Sequence, residues 1–354
     1  MNTSMNDSSG TEPLTGVFLM AHGAPESTDD IPEYLKNIRG GIESTPETIQ
    51  IIRHRYEQIG GKSPLREISQ ELCVRLETFL NQQGPQFKVY CGMRNWSPYI
   101  RDEVKRMKGD GIKRVVALCL APQFSTWSTS LYFKVFKEAL TTCGAEDMDV
   151  RYIGSWADHP LLIDAFEEKY RTALERLGPN AKDSVCTIFT AHSIPSESLE
   201  FGDPYAEEFD KTIKKLVERV QPRYWFKAYQ SQGMIPIPWL GPTVESVLDK
   251  IAKQGSKTVL IIPVGFVCDH VEILFDIDIE FNKYAKEHNP IDLQNIKEST
   301  ENKELYIVAT NLENGEAVYL EPNKKNYYKC LQATSSLPFF TKGSCKINGV
   351  NFMD

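Results

Sequence analysis

The stretch "VFLMAHGAP" (Val17–Pro25) returns, with changes, as "TIFTAHSIP" (Thr187–Pro195). Each is an apolar, β-rich run that stops at Ala-His and then turns. A second pair follows in the same order: "GIKRVVALCLAPQF" from Gly111 resembles "GSKTVLIIPVGFV" from Gly255. Two matched pairs in one order imply two halves built on the same βα plan, not one long sheet. A cut near residue 155 separates them.

Around these runs, apolar segments alternate with amphipathic ones. Strands are predicted at Val17–Ala21, Lys88–Gly92, Arg114–Leu120, Val150–Gly154, Val185–Thr190, Tyr224–Tyr229 and Thr258–Val264. Helices are predicted near Pro46–Ile59, Arg66–Leu80, Pro98–Met107, Leu131–Leu140, Pro160–Leu177, Pro204–Val220, Pro242–Lys253 and Val271–Lys286. Several start with proline, which suits a first helical turn. Continuous apolar strands separated by helices indicate parallel α/β sheets covered on both faces. In such sheets ligands bind beyond the carboxyl ends of strands. His22 and His192 fall there, one in each half, so a cleft between the halves would collect both.

The bulk numbers exclude several classes. The chain has 354 residues, 41% hydrophobic and 25% charged, a soluble globular composition. Its net charge of -8, with no basic stripe, argues against nucleic acid. Eight cysteines without a C-x-x-C pair argue against a zinc or disulfide framework and fit a reducing cytoplasm. Residues 1–14 are polar, read as disordered, and carry no secretory signal. The longest apolar runs are too short to span a bilayer. G-x-G-x-x-G, G-x-x-x-x-G-K-[ST], H-E-x-x-H and G-x-S-x-G are all missing.

Chemistry concentrates in "GFVCDHVEILFDIDIEF" (Gly265–Phe281). Glu272, Asp276 and Glu280, spaced i, i+4, i+8, form one carboxylate stripe if the segment is helical. The "FDIDIEF" alternation also suits a strand, but the segment's length and the βα plan favour a helix. Like charges at this spacing repel unless they face water or share protons or cations. Oxygen ligands suit hard divalent cations and imidazole suits iron; a plain solvated face is the competing reading. His192 and His22 are each a proton acceptor near neutral pH or a packing residue, and His270 reads as structural. Phe124, Trp127, Tyr132, Met234, Ile235 and Trp239 gather near strand ends and suit either a flat apolar pocket or core. Arg39, Arg55 and Ser63 offer donors for an anionic group.

Taken together, "MAHGAP", "RYEQIGGKSPL", "LAPQFSTWSTSLY", "TAHSIPSESLEFGDPY", "YQSQGMIPIPWLGP" and "PVGFVCDHVEILFDIDIE" resemble the ferrochelatase family, which inserts ferrous iron into porphyrins. They stand in family order over about residues 15–287. The resemblance implies two Rossmann-like halves, 15–155 and 156–288, with a porphyrin cleft between them. It places the inner metal-site histidine at His192 and its partner carboxylate at Glu272, with Asp276 and Glu280 as an acidic ladder leading away. It puts His22 where some bacterial members carry a tyrosine facing the porphyrin centre. Tyr132, Arg39, Arg55 and Ser63 match positions near the porphyrin or an outer metal site. Fe²⁺ is then a substrate, a second divalent cation has a place at the outer acids, and no organic cofactor or iron–sulfur cluster is expected. The short soluble form leans toward coproporphyrin III over protoporphyrin IX, and a monomer is the default. A chelatase for another metal and tetrapyrrole, or a non-catalytic porphyrin carrier, are the alternatives.

Beyond about His288 the resemblance stops. "NPIDLQNIKESTENKELYIVATNLENGEAVYLEP" and the remaining residues through 354 resemble a fragment of a patatin-like phospholipase, with Asp354 where that family's dyad aspartate stands. No nucleophile motif accompanies it, so no lipase activity is expected. A second reading makes "ELYIVATN" and "AVYLEP" a hairpin that replaces the family's last elements.

Overall fold

The structure is a computed structural model. It describes residues 14–82, 87–179, 181–255 and 258–287, together with the strand backbones at 307–311, 317–320, 345–347 and 350–353. The expected disorder of the first residues, up to 13, lies outside the described residues.

In the first half, β1 (Thr15–Ala21) leads to α1 (Ile31–Ile38), α2 (Pro46–Gln58) and α3 (Leu65–Leu80). Then come β2 (Phe87–Met93), α4 (Ile100–Gly109), β3 (Arg114–Cys119), α5 (Thr129–Thr142) and β4 (Asp149–Ile153). In the second, α6 (Pro160–Leu177) and the single turn α7 (Ala181–Ser184) precede β5 (Cys186–His192). They are followed by α8 (Glu197–Glu200), α9 (Tyr205–Val220), β6 (Tyr224–Gln230), α10 (Val244–Lys253), β7 (Val259–Ile262) and α11 (Val271–Leu274). A π-helical segment (Asp276–Phe281) and α12 (Asn282–Glu287) close the half. The first sheet runs β2-β1-β3-β4 and the second β6-β5-β7, every pairing parallel. The expected α/β class of paired parallel sheets is what forms.

The internal repeat has a topological meaning. β1, which ends at Ala21 just before His22, and β5, which ends in Ala-His, are interior strands of their sheets, and the matched β3 and β7 lie beside them. Val17–Ala21 and Cys186–Ala191 are buried without a break, because helices cover both faces of each interior strand. Phe18, Met20, Val104 and Phe136 fill one face of the first sheet, and Val17, Leu19, Val89 and Cys91 pack under α3 on the other. In the second half Phe189, Phe209 and Leu216 lie on one side, and Ile188, Val247 and Ile251 on the other.

A buried polar seam joins the halves. The Gln123 amide donates to Thr212 Oγ1 (2.9 Å) and to the Val264 carbonyl (3.0 Å). Asp203 Oδ2 accepts from Ser125 Oγ (2.9 Å), Thr126 Oγ1 (2.7 Å) and the Trp127 amide (3.1 Å). Its Oδ1 accepts from the Tyr205 amide (2.9 Å) at the start of α9. One carboxylate thus holds a first-half loop and a second-half helix in register. Gly265 crosses the end of β5 closely enough that a Cβ would lie 2.6 Å from that of Ala191, which brings the acidic segment against the strand that ends in His192.

The helix expected over Val271–Lys286 is present in extent but not α-helical throughout. The Glu280 amide reaches the Phe275 carbonyl, five residues back, at 2.9 Å. Asp276 opens this widened segment and Glu280 lies four residues on within it. α1 escapes the sequence reading because it is a single eight-residue stretch between turns. In the tail, β8 (Ile307–Asn311) and β9 (Ala317–Leu320) form the antiparallel hairpin of the second reading. With β10 (Cys345–Ile347) and β11 (Val350–Met353) they make a sheet ordered β10-β11-β8-β9.

Asp203→Ala strands three side-chain or backbone donors at the seam and one at the start of α9. A loss of roughly 3 kcal/mol or more in a denaturant midpoint measurement is expected.

Candidate active site

The site assembles from strand ends. His192 is the last residue of β5 and pairs in register with Gln230, the last of β6. Gln230 is buried, and its two amide atoms tie three elements together. Oε1 accepts from Thr190 Oγ1 (2.7 Å), while Nε2 donates to the Glu272 backbone carbonyl (2.8 Å). The first turn of α11 is thereby fixed over the ends of β5 and β6.

This places the Glu272 carboxylate between two imidazoles. Oε1 lies 3.4 Å from His192 Nε2, and Oε2 lies 3.2 Å from His270 Nε2. Burial alone would raise the Glu272 pKa, but the two rings outweigh it and hold the carboxyl well below its ordinary range. Burial likewise opposes a charge on His192, yet the adjacent Glu272 carboxylate and a bond to the Ser193 carbonyl push it up to about 9. The neutral His192 imidazole required of a proton acceptor is therefore not its state in the protein alone; it is the imidazolium half of a pair. His270, read as structural from sequence, flanks the carboxylate directly, and its Nδ1 is buried without a hydrogen-bond partner.

One turn on, Asp276 is buried, with Oδ2 accepting from the Ser231 hydroxyl and Oδ1 3.7 Å from the Arg55 guanidinium. Burial pushes this carboxyl up to about 6; Ser231 and Arg55 oppose the rise, and Glu272 and Glu280 add to it. Glu280 is exposed at the far end of the line. Asp269 and Asp278 are raised by burial to about 6 and about 7. Arg55 also stacks over Phe275 at 5.2 Å.

The first half supplies the facing wall. His22 follows β1, and its pKa is lowered by burial to about 4. Tyr132 is buried on α5 beneath the Arg94 guanidinium, 5.4 Å from its ring. The Glu272 charge is felt at both His22 and Tyr132 across the halves. Trp127, Met234 and Ile235 are exposed on loops and are not core.

Not every expected site residue joins this cluster. Arg39 is exposed and donates to Ser44 Oγ at 3.1 Å. Ser63 is buried, and its hydroxyl accepts from the Leu65 amide at 3.2 Å to start α3. His192, Glu272, Asp276 and Glu280 were expected together as metal ligands. Among the described residues, however, no three His, Cys, Asp or Glu side chains converge as a ready-made ion cage. The reason is local: His192 and His270 occupy the Glu272 oxygens, while Asp276 turns to Ser231 and Arg55. The acids form a line, not a cage. Gln230, Ser231, Tyr34 and Asn95 were not singled out from sequence, since an isolated amide or hydroxyl carries no periodicity or motif.

The ferrochelatase family model matches residues 14–308. The chain belongs to the ferrochelatase family. The match runs some way past His288, where the motif resemblance stopped. A ferrochelatase of Acidobacterium capsulatum is 40% identical over 291 residues, 78% of this chain and 86% of that protein. Coproporphyrin III ferrochelatases of Geobacillus kaustophilus and Bacillus subtilis are each 35% identical, over 275 and 268 residues; these matches span 77% and 75% of this chain and 86% of each relative. The activity of this ferrochelatase is insertion of ferrous iron into a porphyrin in haem biosynthesis. No described helix is long and apolar enough to cross a membrane.

Raised above an unfolded value of about 6.5, His192 lends its full stabilisation below that pH and loses it as pH climbs through about 9. In NMR titrations its ring should therefore titrate near pH 9. Glu272→Gln should bring that midpoint down toward about 6.5 and remove the corresponding alkaline loss of stability.

Proposed function

We propose that metal insertion occurs at the His192–Glu272 pair, with coproporphyrin III as the preferred macrocycle. The observation that carries this reading is the Glu272 carboxylate held between two imidazoles where the two walls face each other. Insertion replaces two pyrrole N–H protons with one Fe²⁺, so two protons leave for each ion that enters. An arriving Fe²⁺ repels the imidazolium proton of His192 and is attracted by Glu272. The displaced His192 proton passes to Asp276 and on to solvent; once neutral, His192 accepts the two pyrrole protons in turn and hands each on by the same route.

Asp276, with a pKa near 6, both takes and releases protons around neutral pH. In line with exposed Glu280, it offers protons a way to solvent and offers a hydrated divalent cation a place to pause. Arg55 tempers the charge of this line from the side. His22 and Tyr132 form the opposite wall, with exposed Arg39 toward the macrocycle's acidic edge. Coproporphyrin is favoured because relatives 35% identical over most of their length carry that name. The enzyme is taken to act as a cytoplasmic monomer.

The test is anaerobic Fe²⁺ insertion followed by absorbance, with coproporphyrin III and protoporphyrin IX in parallel; faster turnover of protoporphyrin IX would overturn the substrate assignment. Glu272→Gln should lower insertion by roughly 100-fold or more while porphyrin binding, read from the spectral shift, persists. Normal turnover by that variant would remove Glu272 from the mechanism.

A further inference from the structure

The hydrogen bonds around His22 determine which ring nitrogen carries its proton. Nδ1 lies 3.1 Å from the Gly23 carbonyl, an acceptor only. A neutral ring satisfies that contact as the Nδ1–H donor; the other tautomer would set two lone pairs against each other. The Tyr34 hydroxyl, 3.2 Å from Nδ1, donates its own proton to the same carbonyl at 3.1 Å. Its oxygen therefore also faces Nδ1 as an acceptor. Nε2 is left with a lone pair, and the group facing it at 3.0 Å is the Asn95 side-chain amide. That contact is favourable when Asn95 presents its NH₂.

Asn95 is itself held firmly. It is buried, its backbone amide donates to the His22 carbonyl at 3.0 Å, and its carbonyl accepts from Asn37 Nδ2 at 3.2 Å. It therefore grips His22 by both main chain and ring. We propose that Asn95 is a positioning residue that fixes His22 as the neutral Nδ1–H tautomer and keeps this wall of the cleft uncharged.

The consequence for catalysis rests on the insertion reading above. With its lone pair engaged by Asn95, His22 does not compete for pyrrole protons, which leave by the His192–Glu272 wall. The charged and titratable groups around His22 are Tyr34 from α1, Arg94 from the turn after β2, and Glu272 and His270 from the facing wall. Arg94 and His270 disfavour an imidazolium there and Glu272 favours one, so the Asn95 donor bond adds to a mixed field.

The test is ¹⁵N NMR of the full-length chain, with His22 assigned by His22→Gln. Wild type at pH 7 should show a protonated Nδ1 and an unprotonated Nε2, titrating only near pH 4. Asn95→Asp replaces the donor with an anion and should raise that midpoint to roughly 5–7, moving the acid limb of the insertion profile the same way. An Nε2–H signature in wild type, or an Asn95→Asp midpoint left near 4, overturns the proposal. The wild-type spectrum decides even if the variant folds poorly. Because this readout needs no porphyrin, its failure is separable from failure of the insertion reading: inactive protein with the Nδ1–H signature would sink only the latter.

Discussion

A carboxylate partly shielded from water stays charged well below its ordinary pKa only where something nearby stabilises that charge. For Glu272 that something is a pair of imidazoles, His192 and His270, supplied by the end of β5 and by the loop before α11. Holding both rings against one carboxylate fixes the surrounding architecture. β5 must end where it does, Gly265 must let the loop cross that end closely, and Gln230 must pin the first turn of α11. The charge distribution is a consequence. His192 and Glu272 are an ion pair of no net charge. The next acid, Asp276, is left with a pKa near neutrality because it lies beyond the imidazoles yet is still buried.

The second requirement is that two similar halves face each other without collapsing. Polar bonds across the seam meet it. Asp203 and Gln123 hold the halves in one register through directional contacts, whereas apolar packing would tolerate sliding. The two walls then differ in character though they arise from related sequences. Ala-His in the second half leads to a charged pair, and Ala-His in the first leads to a neutral ring held by Asn95 and Tyr34. Repeated sequence produced the common scaffold, and the partners brought to each histidine produced opposite protonation.

Much of this was legible in the chain. The strand set, the repeat, the helix over the acidic stretch and the pairing of His192 with Glu272 come from periodicity or from ordered motifs, which are local in sequence. Four features were not. The π-helical turn, in which Asp276 and Phe281 are both buried, leaves no heptad or alternation in the sequence. The full service of Ser63 as a helix-start acceptor needed coordinates to be seen. So did His270, whose role depends on a carboxylate two residues away that points back at it. The protonation of His192 could not be read from its residue type, because a neighbour's charge sets it.

By itself, the sequence determined two parallel α/β halves and the catalytic family, since apolar patterning and motif order are properties of the chain alone. Only the tertiary structure decided that His270 flanks Glu272, that His192 rests protonated and His22 neutral, and that Asp203 and Gln230 hold the parts in place. These depend on distances between residues far apart in the chain, from Gln230 and Glu272 to His22 and Glu272, and burial and Coulomb forces act on distance, not on sequence position.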